Sequence, residues 1–420
     1  MKTMIGIDEA LELIRACCAP LPIEHIPLAQ AGGRVLATAI DAPRALPPFD
    51  NSAMDGFALI WRDDLAAGEV IAVQAEQAAG DGAASQSLGA CSIMTGARMP
   101  DGLDTVVPVE DCTVLNRDAD ERPLSIVLGA TPACGQNVRR SGEDVALGER
   151  VLDAGARLTD EALMVLRGIG IGEVAVHRRP RLALACTGRE LVDADGAELA
   201  PGQIANTNGP YLERLLAEAG ADVVERLTLP DEPAVLATHL ERWFRDGFDL
   251  VVTTGAVSMG RYDFVPEVLA TVGADLRFHK LRMRPGKPLL FATAASRTLI
   301  FGLPGNPISS AVGARFFVGA AVRALTGRGP EHAISVPLAE DVRKKPGFSM
   351  VQKACCRLAP DGLLTVRLLK GQESFKTASL LAANAWVILP EAATALPAGT
   401  HVTVFPLRPI GEHFIQGPKP

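Results

Sequence analysis

DLVVTTGAVSMGRYDF, residues 249–264, decides how the rest of the chain is read. The apolar run Leu250, Val251, Val252 has the look of a strand covered on both faces, as in a parallel sheet flanked by helices. After it, Gly255, Ser258 and Gly260 form a turn whose backbone N–H groups can hold an anion. Asp263 then closes the turn with a carboxylate. An anion and a carboxylate repel one another unless a cation lies between them.

Around this stretch, from Pro180 to about Gly327, strand and helix patterns alternate. RLALACTG, ADVVERLTL, DLVVTTG, ADLRFHKL, KPLLFATA and RTLIFGLP read as strands. NTNGPYLERLLAEAG, PDEPAVLATHLERWF, DFVPEVLATVG and a long apolar segment from about Pro307 to Leu325 read as helices. This alternation predicts a central parallel α/β domain over 179–328. Before it, short apolar stretches broken by Gly, Asp and Pro predict a β-rich domain inserted over 47–149. It is flanked by a linking domain built from 1–46 and 150–178, with helices near Ile7 to Cys18 and after Thr159, a plausible N-cap. Short strands in 329–420 predict a small C-terminal β-barrel. The fold class is therefore α/β with additional β domains, in a multidomain chain.

Composition supports a globular protein of several domains. The chain has 420 residues, 48% hydrophobic and 21% charged, with a formal net charge of −8, so a basic surface for nucleic acid is not expected. No uninterrupted apolar run reaches the ~18 residues of a membrane span, and the first residues lack a basic-then-apolar leader, which predicts a cytoplasmic protein without membrane contact. The eight cysteines show no C-x-x-C spacing, and the seven histidines no H-E-x-x-H. Free thiols are expected, and a zinc enzyme is not.

Three loops should stand together at the carboxyl edge of the sheet, where ligands bind in open α/β folds: ACTGREL at 185–191, TTGAVSMGRYDF at 253–264, and FGLPGNPISS at 301–310. Their glycines allow close backbone approach and their N–H groups suit a phosphate or anhydride. Neither G-x-x-x-x-G-K-[ST] nor G-x-G-x-x-G is present, which argues against a P-loop ATPase and an ordinary dehydrogenase. KLRMRPGKP at 280–288 adds cations. On a regular strand Lys280, Arg282 and Arg284 share one face, and Lys287 follows a Pro-Gly turn. A solvated strand face paired with surface acids is the competing reading of that strip. Acidic loops PPFDNSAMDGFA at 47–58 and RRSGEDVALG at 139–148 complete the inventory, although aspartates in such loops commonly only cap turns.

The ordered set PPFDNSAMDGFA, IMTGARMP, NVRRSGEDV, TTGAVSMG with Asp263, KLRMRPGKP and GLPGNP closely resembles the molybdenum insertase family, MoeA and the gephyrin E domain, over essentially the whole chain. The resemblance implies a molybdopterin-binding-like α/β domain and a homodimer, with the active site between the α/β domain of one protomer and the β-rich domain of the other. It also implies an enzyme that takes adenylylated molybdopterin and molybdate, cleaves the phosphoanhydride with Mg²⁺, and releases molybdenum cofactor and AMP. The upstream adenylyltransferase and recipient molybdoenzymes are implied as further partners. By the same resemblance Asp55, Asp144, Glu190, Asp231, Asp263, Lys280 and Arg284 are the catalytic positions, with Glu190, Asp231 and Asp263 on the metal. Thr95, Gly255, Ser258, Gly260, Lys287, Gly305, Asn306, Lys353 and Ser374 are the substrate-binding ones. Departures from the family pattern are Arg189 before Glu190, TTGAVSMG for S-G-G-V-S-x-G, Glu373 where glycine is usual, and Lys353 where arginine is expected. Two alternatives share these residues: a molybdopterin adenylyltransferase, which would consume ATP, and a non-catalytic gephyrin-like scaffold or divergent paralogue.

Overall fold

A computed structural model describes residues 1–82, 89–193, 196, 198–256, 264–358 and 362–409. The chain divides into two compact units, residues 25–175 and residues 1–24 together with 176–420.

The larger unit is built on a seven-stranded sheet. Its elements are β1 (Lys2–Ile5), α1 (Ile7–Ala16), β2 (Arg181–Thr187), α2 (Asn208–Ala219), β3 (Asp222–Leu229), α3 (Pro233–Arg245), β4 (Leu250–Thr254), α4 (Val265–Thr271), β5 (Asp275–Leu281), β6 (Leu290–Thr293), β7 (Leu299–Leu303) and α5 (Pro307–Leu325). The strand order is β1-β5-β6-β7-β4-β2-β3. Strands β7, β4, β2 and β3 run parallel, as expected, but β6 is antiparallel to both β7 and β5. The sheet is thus mixed: only the short turn around Ala294–Arg297 joins β6 to β7, and parallel neighbours need a much longer crossover. The N-terminal strand β1 pairs in parallel with β5, and Ala10 and Ile14 of α1 are fully buried in the same core.

Alternate residues of the central strands are buried on opposite faces, which explains their continuous apolar character. Leu182, Leu184, Leu250 and Val252 pack with α1, α2 and α5. Ala183, Ala185 and Val251 pack with α3 and α4. Below the first face, Phe291 is stacked between Phe278 and Phe301 at ring-centroid distances of 5.6 and 4.9 Å. Truncating such a side chain to alanine costs about 3–5 kcal/mol. Helix α5 enters through Asn306 with Pro307 at its first position, where a missing N–H is harmless, and passes through a π turn at Ala314–Val318. It is long and apolar enough to cross a membrane, yet 83% of its most apolar window is buried inside the protein. Its hydrophobicity serves the core.

The C-terminal part of this unit has β8 (Ile334–Pro337), β9 (Ser349–Leu358), β10 (Leu364–Leu368), β11 (Ala385–Leu389) and β12 (His401–Pro406). They pair around a separate apolar cluster containing Val336, Val366, Val387 and Val404. The smaller unit carries a six-stranded, β-rich sheet in which the strand Gly56–Leu59, next to one edge, is buried along its whole length. Its Thr159 N-caps the helix Asp160–Gly168, accepting from Ala162 N at 3.3 Å. All eight cysteines are free.

Candidate functional site

In chain order β3 lies on one side of β2 and β4 on the other, so the winding reverses between β2 and β4. At such a switch point the loops after the two strands diverge and leave a crevice. Here the loops come very close. Thr187 Oγ1 donates to Thr254 O at 3.2 Å, and Gly255 N donates to Leu303 O at 3.0 Å. Gly255 has φ +96°, and a Cβ there would lie 2.5 Å from Thr187 O, so only glycine fits. A Cβ on Gly305 would sit 3.7 Å from the Gly255 Cα, and Asn208 Nδ2 holds Gly305 O at 2.7 Å. The three glycine loops therefore form one crest.

Acidic side chains stand on the same crest. Glu190 is exposed on the loop after β2, and half-buried Asp231 follows β3. Gly188 N reaches Leu229 O at 3.2 Å, and Arg189 N approaches Asp231 Oδ2 at 3.4 Å, so the two acidic loops are tied together. Ser258, Gly260 and Asp263 lie outside the described residues. Among the described residues no group of three His, Cys, Asp or Glu side chains is placed to hold a metal. Glu190 and Asp231 still have the donor chemistry that Mg²⁺ requires, because that ion takes hard oxygen ligands and keeps several waters.

The cations belong to the end of β5 and the turn after it, which emerges at the same edge because β5 runs parallel to β7. They do not form one strip. Lys280 has a left-handed φ of 72°, which breaks the strand alternation. Arg282 is taken by Glu391 at 2.9 Å and by the Met4 carbonyl. Arg284 lies over the Phe348 ring at 4.4 Å, with Lys287 above the same ring at 6.0 Å. Both cations line a cleft of about 290 Å³ with Ser309, Gln372 and Ser374. Ser374 O accepts from Ile308 N at 3.0 Å, which joins this cleft to the start of α5 beside Asn306 and Gly305. Phe348 and Gln372 carry no signal that singles them out in sequence, beyond the adjacent Pro-Gly turn and the KGQESF motif.

Lys353 requires correction. It was expected to contact substrate, but its side chain is fully buried and its Nζ points at the carbonyls of Gly371 and Lys376, at 2.6 and 2.9 Å. Burial pulls its ammonium pKa below the ordinary lysine value, with the Glu373 charge working in the opposite direction.

In the smaller unit, Asp55 stands exposed at the start of the buried strand Gly56–Leu59. Gly56 fixes it there, since a Cβ on Gly56 would fall 2.0 Å from Val107 O. Thr95 N donates to Asp55 Oδ1 at 2.7 Å, and that bond, aided by the Thr95 hydroxyl, holds the carboxyl below its usual pKa. Asp144 is exposed on the loop that Asp50 pins down. Asp50 accepts from Ser141 N and from Arg140 Nη1, each at 2.7 Å, and these lower its pKa, the Ser141 bond most. Asp144 N itself donates to Leu46 O at 3.0 Å. The two acidic loops of this unit are thus bound into one piece.

Comparisons with known proteins agree along the whole chain. Residues 5–170 match the model of the MoeA N-terminal region (domain I and II), residues 183–324 a probable molybdopterin binding domain, and residues 335–407 the MoeA C-terminal region (domain IV). The molybdopterin molybdenumtransferase of Synechococcus elongatus is 38% identical over 96% of this chain and 99% of its own length. That of Bacillus subtilis is 32% identical over 97% and 95%. A crystal structure of the molybdopterin biosynthesis MoeA protein from Pyrococcus horikoshii superposes with a TM-score of 0.77 at 26% identity, covering 96% of this chain and 99% of that one.

Proposed function

The chain belongs to the MoeA family, and from that premise we propose that it is a molybdopterin molybdenumtransferase that inserts molybdenum from molybdate into adenylylated molybdopterin, releasing AMP. The observation that carries this reading is the crest itself. Three glycine loops meet at the switch point of the sheet, and a cleft lined by Arg284, Lys287 and Ser374 joins them at the start of α5.

A phosphoanhydride suits these parts. Backbone N–H groups of the crest would bind phosphate oxygens, and Arg284 and Lys287 would balance charge that grows as the bond breaks. Mg²⁺ held by Glu190 and Asp231, with Asp263, would supply a Lewis acid for those oxygens. A carboxylate at the end of an anion turn is then no contradiction. Asp55 and Asp144 would position molybdate or the pterin end, presented by the smaller unit of a second copy in a homodimer.

The test is to mix purified protein with adenylylated molybdopterin, molybdate and Mg²⁺ and to follow AMP. AMP should appear only with all components, and release should fall sharply in Asp263→Ala and Glu190→Gln. Consumption of ATP in place of the adenylylated substrate would identify an adenylyltransferase. No AMP from either substrate would leave a scaffold.

A further inference from the structure

Lys353 is an ionisable group buried away from the crest, and burying an ammonium costs several kcal/mol unless polar partners replace its water. The partners here are two main-chain carbonyls, Gly371 O and Lys376 O, which stand at the two ends of one short loop. Ser379 Oγ lies 3.1 Å from each of the same two carbonyls, sharing its one proton between them. Gln372 reinforces the link from the other side: its Oε1 accepts from Lys353 N at 3.0 Å, and its Nε2 donates to Lys353 O and Leu369 O, each at 2.8 Å. Between the two stapled ends lie Gln372 and Ser374, which line the cleft opposite Arg284 and Lys287. Ser374 O also accepts from the first turn of α5.

We propose that Lys353 is a positioning residue: its ammonium closes the loop 371–376 by binding both ends, and so sets the wall of the anion cleft that Gln372 and Ser374 form. It touches no substrate. Without it two buried carbonyls lose a charged donor, and their direct link is left to the weaker Ser379 hydroxyl, with Gln372 still tying the loop to the Lys353 main chain. The effect on turnover rests on the functional reading above, whereas the effect on the loop does not.

Lys353→Met keeps the length of the side chain and removes the charge. In hydrogen–deuterium exchange of the full chain, amides of 371–376 should exchange about ten-fold faster, while the β9–β11 ladder keeps its protection. The KM for adenylylated molybdopterin should rise about ten-fold, with kcat changed by less than about three-fold, because a displaced wall weakens binding more than chemistry. Unchanged exchange in the loop overturns the proposal, and so does a loosened loop with an unchanged KM. If the methionine variant does not fold, Ser379→Ala tests the same staple from its second donor: a smaller increase in loop exchange with a raised KM is expected, and no change in either overturns the proposal. Absence of AMP release from the unmodified protein would remove the functional reading alone, since the exchange result stands by itself.

Discussion

Arg178 and Arg277 at one end of the central sheet are held differently from Arg284 and Lys287 at the other, although Arg282 beside the latter pairs with Glu391 and Arg181 beside the former lies over Phe248 at 4.7 Å. At the end where the parallel strands begin, Arg178 clamps Asp249 with two bonds of 2.6 and 2.7 Å, Arg181 N donates to the same carboxylate at 2.8 Å, and Arg277 pairs with Asp275. At the crest end, Arg284 and Lys287 lean on Phe348, and among the described residues neither has an acidic partner. Size alone points away from the proposed site. The hollow beside Arg178 and Arg277 holds about 1040 Å³, against about 290 Å³ for the cleft at Arg284. A cation already neutralised by a carboxylate has little left for a ligand, whereas one resting on an aromatic face keeps its charge and gains orientation.

The contrast can be broken most severely at Asp249. Its side chain is 13% exposed, so Asp249→Ala leaves Arg178 and Arg181 N without their shared acceptor and should cost about 3 kcal/mol. A lowered urea midpoint with AMP release intact at saturating substrate would bear this out, and lost turnover in a stable protein would erase the distinction between the two ends. Arg284→Ala is the mirror image. Turnover should fall about 10²-fold while thermal stability barely moves, since an exposed cation–π contact is worth only about 0.5–1 kcal/mol. Gly255→Ala should lower stability and turnover together by about 2 kcal/mol, because the crest is both a close-packed structure and the proposed site. The mildest variant is Asp50→Asn. Its carboxyl pKa is lowered in the folded protein, so the stability it contributes is present above the unfolded carboxylate value and is lost as pH falls through the folded one. Asp50→Asn should therefore be slightly less stable at neutral pH, with a shallower acid titration of unfolding below pH ~4, so that the difference from the parent shrinks as the pH falls.

Much of the layering is legible in sequence, because strands buried on both faces cannot hide their composition. Leu250 to Val252 and Leu182 to Ala185 announce themselves. The direction of β6 is not legible, since apolar content carries no polarity and only the short connection to β7 fixes it. The crest glycines are readable because a turn after a buried strand demands them. Lys280 and Lys353 are not readable. A left-handed φ at Lys280 is invisible to periodicity, and no local pattern tells a lysine that faces a cleft from one that staples a loop beneath it. Phe348, which organises the cations, follows KKPG without any helical or strand context to mark it as a platform.

The apolar segment that ends the α/β layer has a consequence for synthesis. When residues up to Leu325 have emerged from the ribosome, Phe316 lacks its edge-on neighbour Phe405 at 5.3 Å, and Arg315 lacks both Glu331 and the Pro406 carbonyl. The nascent chain must therefore wait about 80 further residues, some four to sixteen seconds at ordinary elongation speeds, with a membrane-grade helix partly bare. Chaperones, or insertion machinery that reads hydropathy alone, have that interval in which to find it. Shortened versions ending near residue 330 should precipitate for the same reason.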